Sequence, residues 1–495
     1  MNFHNDMSGQ NVLESDVLIV GSGPIGAVYA RTILNADDSL NVLMVEMGEH
    51  PSKYTEVTGA TEQRHDSNLP AAPVVREVGG MGCYWSCATP EQHPVIERSD
   101  LFSDQEWRDL YSEAKALFKT TDTAFEHSIR HRLIKDALVR THGDREFVNL
   151  PLACRRSTRN PGYVQWTCPA TILGDLADPR YGGTNFELRA RHQCTRLLVD
   201  TASRQIIGAE LTDLRTNDIV IAKAKKYVIC AGAILTAGIL FNSQIRPETG
   251  YPALGRYLTE QTMSVCQVAM KKSLLEDAWN DERCKEYFKK FPNDPLRIPP
   301  NDPSPEISTP VSEKYPWHSQ IQRDPFHHNS VSNSIDPRLL IDLRFFGYVK
   351  PVYDNHVEFS SEVTDAFGMP QPSIHFRIGQ EDARRAKAMM KDMKNIATSL
   401  GDYIPGGEPR FIALGTAIHI CGTTRAGEED DGCSVVDRHS KVWRLENLFI
   451  GGCGVIPTQN ACNPTLTAAC FALVGARKVV EEMQSLKYTR YQSKL

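Results

Sequence analysis

No apolar stretch in the 495-residue chain approaches the roughly 18–20 residues that a bilayer-spanning helix requires. Basic runs are equally missing. Lys and Arg number 55 against 61 Asp and Glu, a net charge of −6, which argues against binding to nucleic acid or to an anionic membrane surface. Residues 1–14 are polar and lack the charged and apolar regions of a secretion signal. Internal repeats and low-complexity segments are absent. No spacing among the thirteen scattered cysteines matches a zinc site: Cys83 and Cys87 flank Trp85, but no second pair answers them. An odd, scattered set reads as mostly buried, reduced thiols in an intracellular compartment. What is left is an ordinary globular composition, 41% hydrophobic and 23% charged. The length predicts two or three intermixed domains.

One segment is fully specified. Asp16-Val17-Leu18-Ile19-Val20 is a short β-branched run that predicts a buried strand. Gly21-Ser22-Gly23-Pro24-Ile25-Gly26-Ala27 follows at once and leads into a helical stretch over residues 28–34. Leu40-Asn41-Val42-Leu43-Met44-Val45 is a second strand, ending at Glu46. Such a unit cradles a dinucleotide. Gly21 makes the tight turn, Gly23 lets a pyrophosphate approach the backbone, and Gly26 lets the helix lie close to the strand. The helix N-terminus offers N–H groups to the phosphates. Glu46, about 25 residues after Gly21, stands where the ribose hydroxyls find their acceptor.

Ser103-Asp104-Gln105-Glu106 is a capping box ahead of an apolar stripe of Trp107, Leu110, Tyr111, Ala114, Leu117 and Phe118, and predicts a structural helix. Residues 194–200, 206–213 and 219–222 predict antiparallel strands. Residues 226–233 predict a separate buried strand that ends in a glycine turn, with a helix through Asn242. Residues 292–310 hold seven prolines and predict an extended surface connection. Strands are then expected over residues 317–324, 339–347, 356–361 and 373–378. Residues 380–400 predict an amphipathic helix with Ala386, Met389, Met390, Met393, Ala397 and Leu400 inward and a stop at Gly401. Period-two spacing puts His318, Gln320, Gln322 and Asp324 on one face of their strand, and Asp342 and Arg344 on one face of the next. The wall of a cavity for a polyhydroxylated substrate and the wet face of a sheet explain these rows equally well.

The C-terminal region carries the second set of signals. Ile418-His419-Ile420 sets a histidine within an apolar run, and residues 448–453 predict a buried strand ending in Gly451-Gly452-Cys453. Asn463-Pro464-Thr465-Leu466-Thr467 opens the final helix, with Pro464 in its first turn. Removing hydride from a secondary alcohol needs a base for the hydroxyl proton, a carboxamide or imidazole to hold the oxygen, and an acceptor close to the C–H. His419 and Asn463 can supply the first two. By itself, His419 fits a hydrogen-bonded core histidine better.

Through these motifs the chain resembles the glucose–methanol–choline oxidoreductases, nearest their pyranose 2-oxidase-like flavoproteins. The likeness is carried by residues 20–27, by Val78-Gly79-Gly80-Met81 with Trp85 and Cys87-Ala88-Thr89-Pro90, and by Leu150-Pro151-Leu152-Ala153-Cys154. It continues through Ala231-Gly232-Ala233-Ile234, Arg323-Asp324, Leu343-Arg344-Phe345-Phe346-Gly347 and Met369-Pro370-Gln371-Pro372. It closes on residues 447–454 and 463–467.

The resemblance implies an α/β fold in which a Rossmann-type FAD-binding domain is assembled from residues 1–100, 190–260 and 415–495. A substrate domain with a mostly antiparallel sheet and flanking helices would take residues 101–189 and 261–414. It implies FAD-dependent oxidation of a secondary alcohol on a sugar, glycoside or sugar-like molecule. His419 would be the base with Asn463 beside it, and oxygen or a quinone-type compound the final acceptor. The cofactor would lie against Gly21, Gly23, Pro24, Ile25, Gly26, Glu46, Gly80, Met81, Tyr84, Trp85, Ser86, Cys87, Ala88, Cys194, Ala231, Gly232, Gly452, Cys453, Asn463, Pro464 and Thr465. The last helix would stabilise negative charge on the reduced flavin. The substrate would meet Gln322, Asp324, Phe326, His327, His328 and Arg344, and no metal is expected.

Departures from the family pattern refine this. Tyr84 stands where those oxidases carry the histidine that binds flavin covalently, so a non-covalent FAD is expected. Ser86 replaces a threonine at the flavin's reactive edge, and Thr424 and Gln322 each replace a histidine. Residues 51–73 are shorter than the family's oligomerisation arm. The competing readings are a biosynthetic flavoenzyme that dehydrogenates or eliminates on a non-sugar metabolite, and an inactive flavin-binding scaffold. A nicotinamide dehydrogenase would need a second cofactor-binding unit with its own acid. Ser493-Lys494-Leu495 is the tripeptide that a peroxisomal import receptor reads, and the expectation is a peroxisomal protein.

Overall fold

In the computed structural model the described residues are 11–50, 60–61, 66–67, 69, 74–160, 162–178, 185–323 and 335–492. Asp324, Phe326, His327, His328, most of the 51–73 segment and Ser493-Lys494-Leu495 lie outside them.

Strand β1 (Asn11–Val20) ends in a run, Val17, Leu18 and Ile19, with no exposure at all. Both of its faces are covered, as a continuous apolar run in a parallel sheet requires. Gly21, at φ +102°, turns the chain into helix α1 (Pro24–Ala36), and β2 (Val42–Val45) returns parallel to β1. The same sheet takes β3 (Phe186–Arg189), β4 (His192–Asp200), β5 (Gln205–Asp213) and β6 (Ile219–Ile229) in the order β3-β2-β1-β6-β5-β4. Leu448–Ile450 adds in parallel beside the end of β6. The expected break between residues 222 and 226 does not exist. β6 is one strand, antiparallel to β5 at its start and parallel to β1 throughout. Two of the three lysines that interrupt its apolar pattern are paired: Lys225 with Asp16 and Lys226 with Glu482. Helix α2 (Ala233–Asn242) follows across Gly232.

The second sheet is antiparallel. It contains β7 (Gln261–Met270), β8 (Ile307–Thr309), β9 (Trp317–Gln322) and β10 (Leu340–Tyr348) in the order β7-β10-β9-β8. One face packs on helix α3 (Gln380–Leu400), where Met389, Met393, Ile396 and Leu400 meet Cys266, Val268, Ile341, Leu343 and Phe345. Each of these large side chains contributes about 1.5–3 kcal/mol by leaving water. The α3 stripe follows the predicted spacing, except that Met390 is half-buried and Ile396 points inward.

The proline-rich segment departs from expectation. Ile307–Thr309 is a buried strand of this sheet, not a surface excursion. Asp302 before it is buried as well, accepting from the Ile129 and Arg130 N–H groups at the start of helix Ile129–Thr141 and pairing with the Arg130 guanidinium. The prolines flank the strand, where a missing N–H costs no ladder bond.

Strands β11 (His356–Thr364) and β12 (Pro370–His375) form an antiparallel pair laid on the first unit. Val357 and Ile374 enter its core, and Phe359 packs on Phe241 of α2. Helix α4 (Thr465–Gln492) closes that core, and Phe471 meets Phe102 and Trp107. Trp107 belongs to helix Asp104–Phe118, whose capping box forms in both directions. All thirteen cysteines are free thiols and most are buried. Among the described residues, no helix is long and apolar enough to cross a membrane.

Candidate active site

A cavity of about 310 Å³ starts at the carboxyl ends of β1 and β2 and runs to the first turn of α4. Its walls explain the glycines. A Cβ on Gly21 would meet the Cys230 carbonyl oxygen at 2.4 Å, and one on Gly26 the Gly21 carbonyl oxygen at 2.1 Å. These two positions are fixed by the close approach of strand, turn and helix. Gly23, Gly232 and Gly452 serve differently. A Cβ on Gly23 would meet nothing nearer than 4.0 Å, and one on Gly232 or Gly452 nothing within 4 Å, so these three keep the wall open.

Glu46 has both carboxylate oxygens held: Oε2 accepts from the Ser22 N–H (3.1 Å) and hydroxyl (2.8 Å), and Oε1 from the Gly48 N–H (2.9 Å). Residues at the N-termini of α1 and α4 line the two ends of the cavity, and neither helix has an acid in its first turn. Both helix ends therefore present positive potential. A glycine-lined neck, an acid at one end and helix N-termini at both fit a dinucleotide that carries a flat ring. Gly21, Gly23 and α1 would hold its pyrophosphate, Glu46 its ribose, and Pro464 and Thr465 its electron-accepting ring.

His419 lies in a loop and not in a strand. Ile418 before it has φ +58°, and this left-handed residue presents Ile418 and Ile420 to the cavity end. The imidazole Nε2 is 3.1 Å from Asn463 Nδ2, and Nδ1 is 2.6 Å from Gln261 Oε1. The direction of every bond follows from the two ends of the chain. Gln261 Nε2 meets two acceptors, the carbonyls of Asn460 (2.8 Å) and Cys462 (2.9 Å), so its oxygen faces His419 and Nδ1 must donate. Nε2 is then a lone pair, and Asn463 donates to it. Asn463 Oδ1 consequently accepts from Gln320 Nε2 (2.9 Å), whose own oxygen accepts from Arg344 (2.8 Å). Arg344 can only donate, so both ends demand the same tautomer. Burial, with His318 and Arg344 adding to it, holds the His419 imidazole down at about 3. It is neutral, and its one lone pair is the Nε2 acceptor of the Asn463 amide. Behind it, Glu260 accepts from the His419 N–H at 2.9 Å, and burial pushes this carboxyl up to about 7.

The polar rows of the second sheet are interior. Register pairs Gln320 with Arg344 and Gln322 with Asp342, so these residues and His318 share the face opposite α3, and all are buried. A wet outer face is thereby excluded. Asp342 is held by Gln267 (2.6 Å) and Arg323. With its amide oriented so that each contact joins donor to acceptor, Gln322 accepts from Arg344 Nε (2.9 Å) and donates to Glu306 Oε2 (2.9 Å). Burial, opposed by Arg344, pushes Glu306 up to about 8, so the carboxyl is a neutral acid at neutral pH. Burial and Arg344 together hold His318 at about 3. Phe346 packs against both His318 (6.0 Å between ring centres) and His419 (5.7 Å).

Most residues expected at the cofactor line the cavity: Gly21, Gly23, Pro24, Ile25 and Glu46 at one end, Gly80, Met81, Trp85, Cys194, Ala231 and Gly232 along it, and Gly452, Cys453, Pro464 and Thr465 at the other end. Gly26 lies beneath the wall, and Asn463 turns to His419. Tyr84, Ser86, Cys87 and Ala88 do not line it. The tight turn Gly80–Cys83 carries the chain away, so Tyr84 donates to Glu77 while Cys87 and Ala88 are buried. Helix α4 begins at Thr465, which puts Pro464 just before its first turn. Sequence reasoning missed Glu260, Gln261 and Glu306 as site residues, left His318 and Gln320 open between a cavity wall and a wet face, and missed Phe359, Pro370 and Pro372 along the cavity. His318 and Gln320 stood in the alternating row, and Pro370 and Pro372 in a quoted motif. Glu306 sat in a segment read as surface, with no signal.

The comparisons with known proteins agree with this geometry. Residues 351–472 match the family model described as GMC oxidoreductase. The chain is 36% identical to the pyranose 2-oxidase of Emericella nidulans, across 94% of this chain and 92% of that one. It is 28% identical to the C-glycoside 3-oxidase of Microbacterium trichothecenolyticum, across 94% and 97%. Among solved structures, a formate oxidase of Aspergillus oryzae superposes with a TM-score of 0.70 at 14% identity, covering 97% of this chain and 100% of that one. Pyridoxine 4-oxidase from Mesorbium loti gives 0.66 at 18%, covering 94% and 99%. These last two show the shared fold. With its α/β architecture, its dinucleotide cavity and relatives of this identity over nearly its whole length, the chain belongs to the GMC oxidoreductases and is an FAD-dependent oxidoreductase.

Proposed function

We propose that the protein oxidises a secondary alcohol on a sugar or glycoside, with oxygen or a quinone-type compound as the final electron acceptor. One observation carries the reading: the His419 lone pair and the Asn463 amide meet at 3.1 Å, beside the end of the cavity, with the tautomer fixed from both sides. A substrate hydroxyl placed between them gives its proton to Nε2, while Asn463 donates to the oxygen as negative charge develops. FAD, when bound, supplies the acceptor for the hydride. An imidazole held near 3 is too weak a base to take the proton before C–H cleavage begins. The two departures are therefore coupled. Arg344, Gln322 and Glu306, hydrogen-bonded to one another and joined to Asn463 through Gln320, give the pair a polar surround in keeping with a polyhydroxylated ring.

The names of the pyranose 2-oxidase and C-glycoside 3-oxidase relatives support the sugar class. Tyr84, bonded to Glu77 and outside the cavity wall, supports a non-covalent FAD. His419→Ala is expected to retain FAD and lose its reduction by sugar in anaerobic mixing; reduction at the wild-type rate would refute the assignment. Peroxisomal targeting through Ser493-Lys494-Leu495 is part of the same proposal. A fluorescent fusion should move to the cytosol when that tripeptide is removed, and unchanged location would refute it.

A further inference from the structure

Strands β11 and β12 carry three possible metal ligands on their outer face. His356 and His375 are cross-strand partners, and Glu358, two residues along β11, points to the same side. The two imidazoles stack with centres 4.6 Å apart and 17° between planes. His356 Nε2 lies 3.8 Å from one Glu358 oxygen, and His375 Nε2 lies 3.0 Å from the other. One ligand atom from each of the three falls within a mutual 4.8 Å. Ligands bound at about 2.0–2.1 Å around one tetrahedral ion stand roughly 3.3 Å apart, so small side-chain rotations close this set on a single centre.

His356 is also oriented for the task. Its Nδ1 donates to the Asp354 carbonyl at 2.6 Å, which leaves the Nε2 lone pair turned toward Glu358. The nearby Arg256 opposes a cation, but its guanidinium is drawn over the Tyr353 ring, 4.8 Å from the centre. A plain surface ion pair would need one histidine. Here both rings aim their nitrogens at one carboxylate.

We propose that His356, Glu358 and His375 bind a divalent ion of the zinc, nickel or copper type, with solvent completing the shell. Two imidazoles and one carboxylate select such ions over magnesium or calcium. The consequence reaches the cofactor. The inner face of the same hairpin presents Phe359, Pro370 and Pro372 to the FAD cavity, so an ion that clips β11 to β12 stiffens that wall.

The test is titration of Zn2+ into the FAD-loaded enzyme by calorimetry, expected to show one equivalent bound. His356→Ala and Glu358→Gln should each weaken binding at least about tenfold, since loss of a direct ligand costs no less than loss of its supporting partner. Cu2+ should give a paramagnetic resonance spectrum with imidazole nitrogen coupling that the His356→Ala/His375→Ala variant lacks. Zinc should raise the thermal midpoint of the wild type and not of that variant. These positions lie on an outer face, and retained FAD in the variants reports that they fold. Absence of stoichiometric zinc binding by the wild type, or equal binding by the double variant, overturns the proposal.

Discussion

Replacing Gln261 by leucine separates the role of the imidazole from the role of the bond that holds it. Gln261 is buried, and its oxygen is the acceptor for the His419 Nδ1–H at 2.6 Å. Leucine removes that acceptor and also leaves the Asn460 and Cys462 carbonyls without the Gln261 amide. The Cys462 carbonyl keeps a second donor in Asn460 Nδ2, so the stability cost is about 2–4 kcal/mol and not the sum of three orphaned groups. The chain should still fold and bind FAD. The chemical cost appears when the proton arrives at Nε2. The imidazolium then needs its Nδ1–H bonded, and a hydrogen bond to a charged group is worth about 1.5–3 kcal/mol. That corresponds to a slowing of roughly 10- to 150-fold. Gln261→Glu should recover most of the rate, because a neutral carboxyl can accept from Nδ1–H and donate to one of the two carbonyls. The assay is anaerobic stopped-flow reduction of the bound flavin by sugar, with flavin content measured by absorbance. Wild-type reduction in Gln261→Leu with full FAD would refute the argument that the relay supports the base.

Three further outcomes follow from the same geometry. Deuterium on the carbinol carbon and D2O as solvent should both slow the same reduction step, because a base held at about 3 cannot deprotonate first; a solvent effect confined to a separate step would refute coupling. Stability should fall on the alkaline side. Glu260 and Glu306, held at about 7 and about 8, contribute stability present below their unfolded value of 4.5 and lost as pH rises through 7 to 8. His318 and His419, both held at about 3, contribute stability present above 6.5 and lost as pH falls toward 3. Between 4.5 and 6.5 the two pairs oppose each other, and above 6.5 only the two carboxyls of this set still act, so the thermal midpoint should decline as pH rises through 7 to 8. Glu306→Gln should flatten the alkaline decline, and an unchanged alkaline limb in that variant would remove Glu306 from the account.

How far the sequence could carry this depended on whether a signal was local. The strand–glycine–helix unit was legible because turn, helix and acceptor are set within residues 16–46, and the overlap at Gly21 and Gly26 shows why no other residue serves. The α3 stripe was legible for the same reason: one helix face reports its own burial. The joined strand β6 was not, because its lysines look like an interruption until Asp16 and Glu482, distant in sequence, are seen to meet two of them. Burial of the His318–Gln322 row was undecidable in principle. Alternation states which residues share a face, and only the pairing of β8, β9 and β10 states what covers it.

The candidate base shows the limit most clearly. That His419 and Asn463 belong together could be expected from the family resemblance, yet the resemblance says nothing of which nitrogen carries the proton. That is decided by Gln261 at the start of β7, by Gln320 in the middle of β9 and by Arg344 on β10, joined only through sheet register. The two backbone carbonyls at one end and the guanidinium at the other impose the same direction on every amide between them. Reversing any one amide would set donor against donor at a neighbour, so the proton-accepting lone pair is a property of the whole chain of five side chains. A substitution at either end should therefore disturb the chemistry without touching His419 itself, in proportion to how well the remaining contacts can hold the direction.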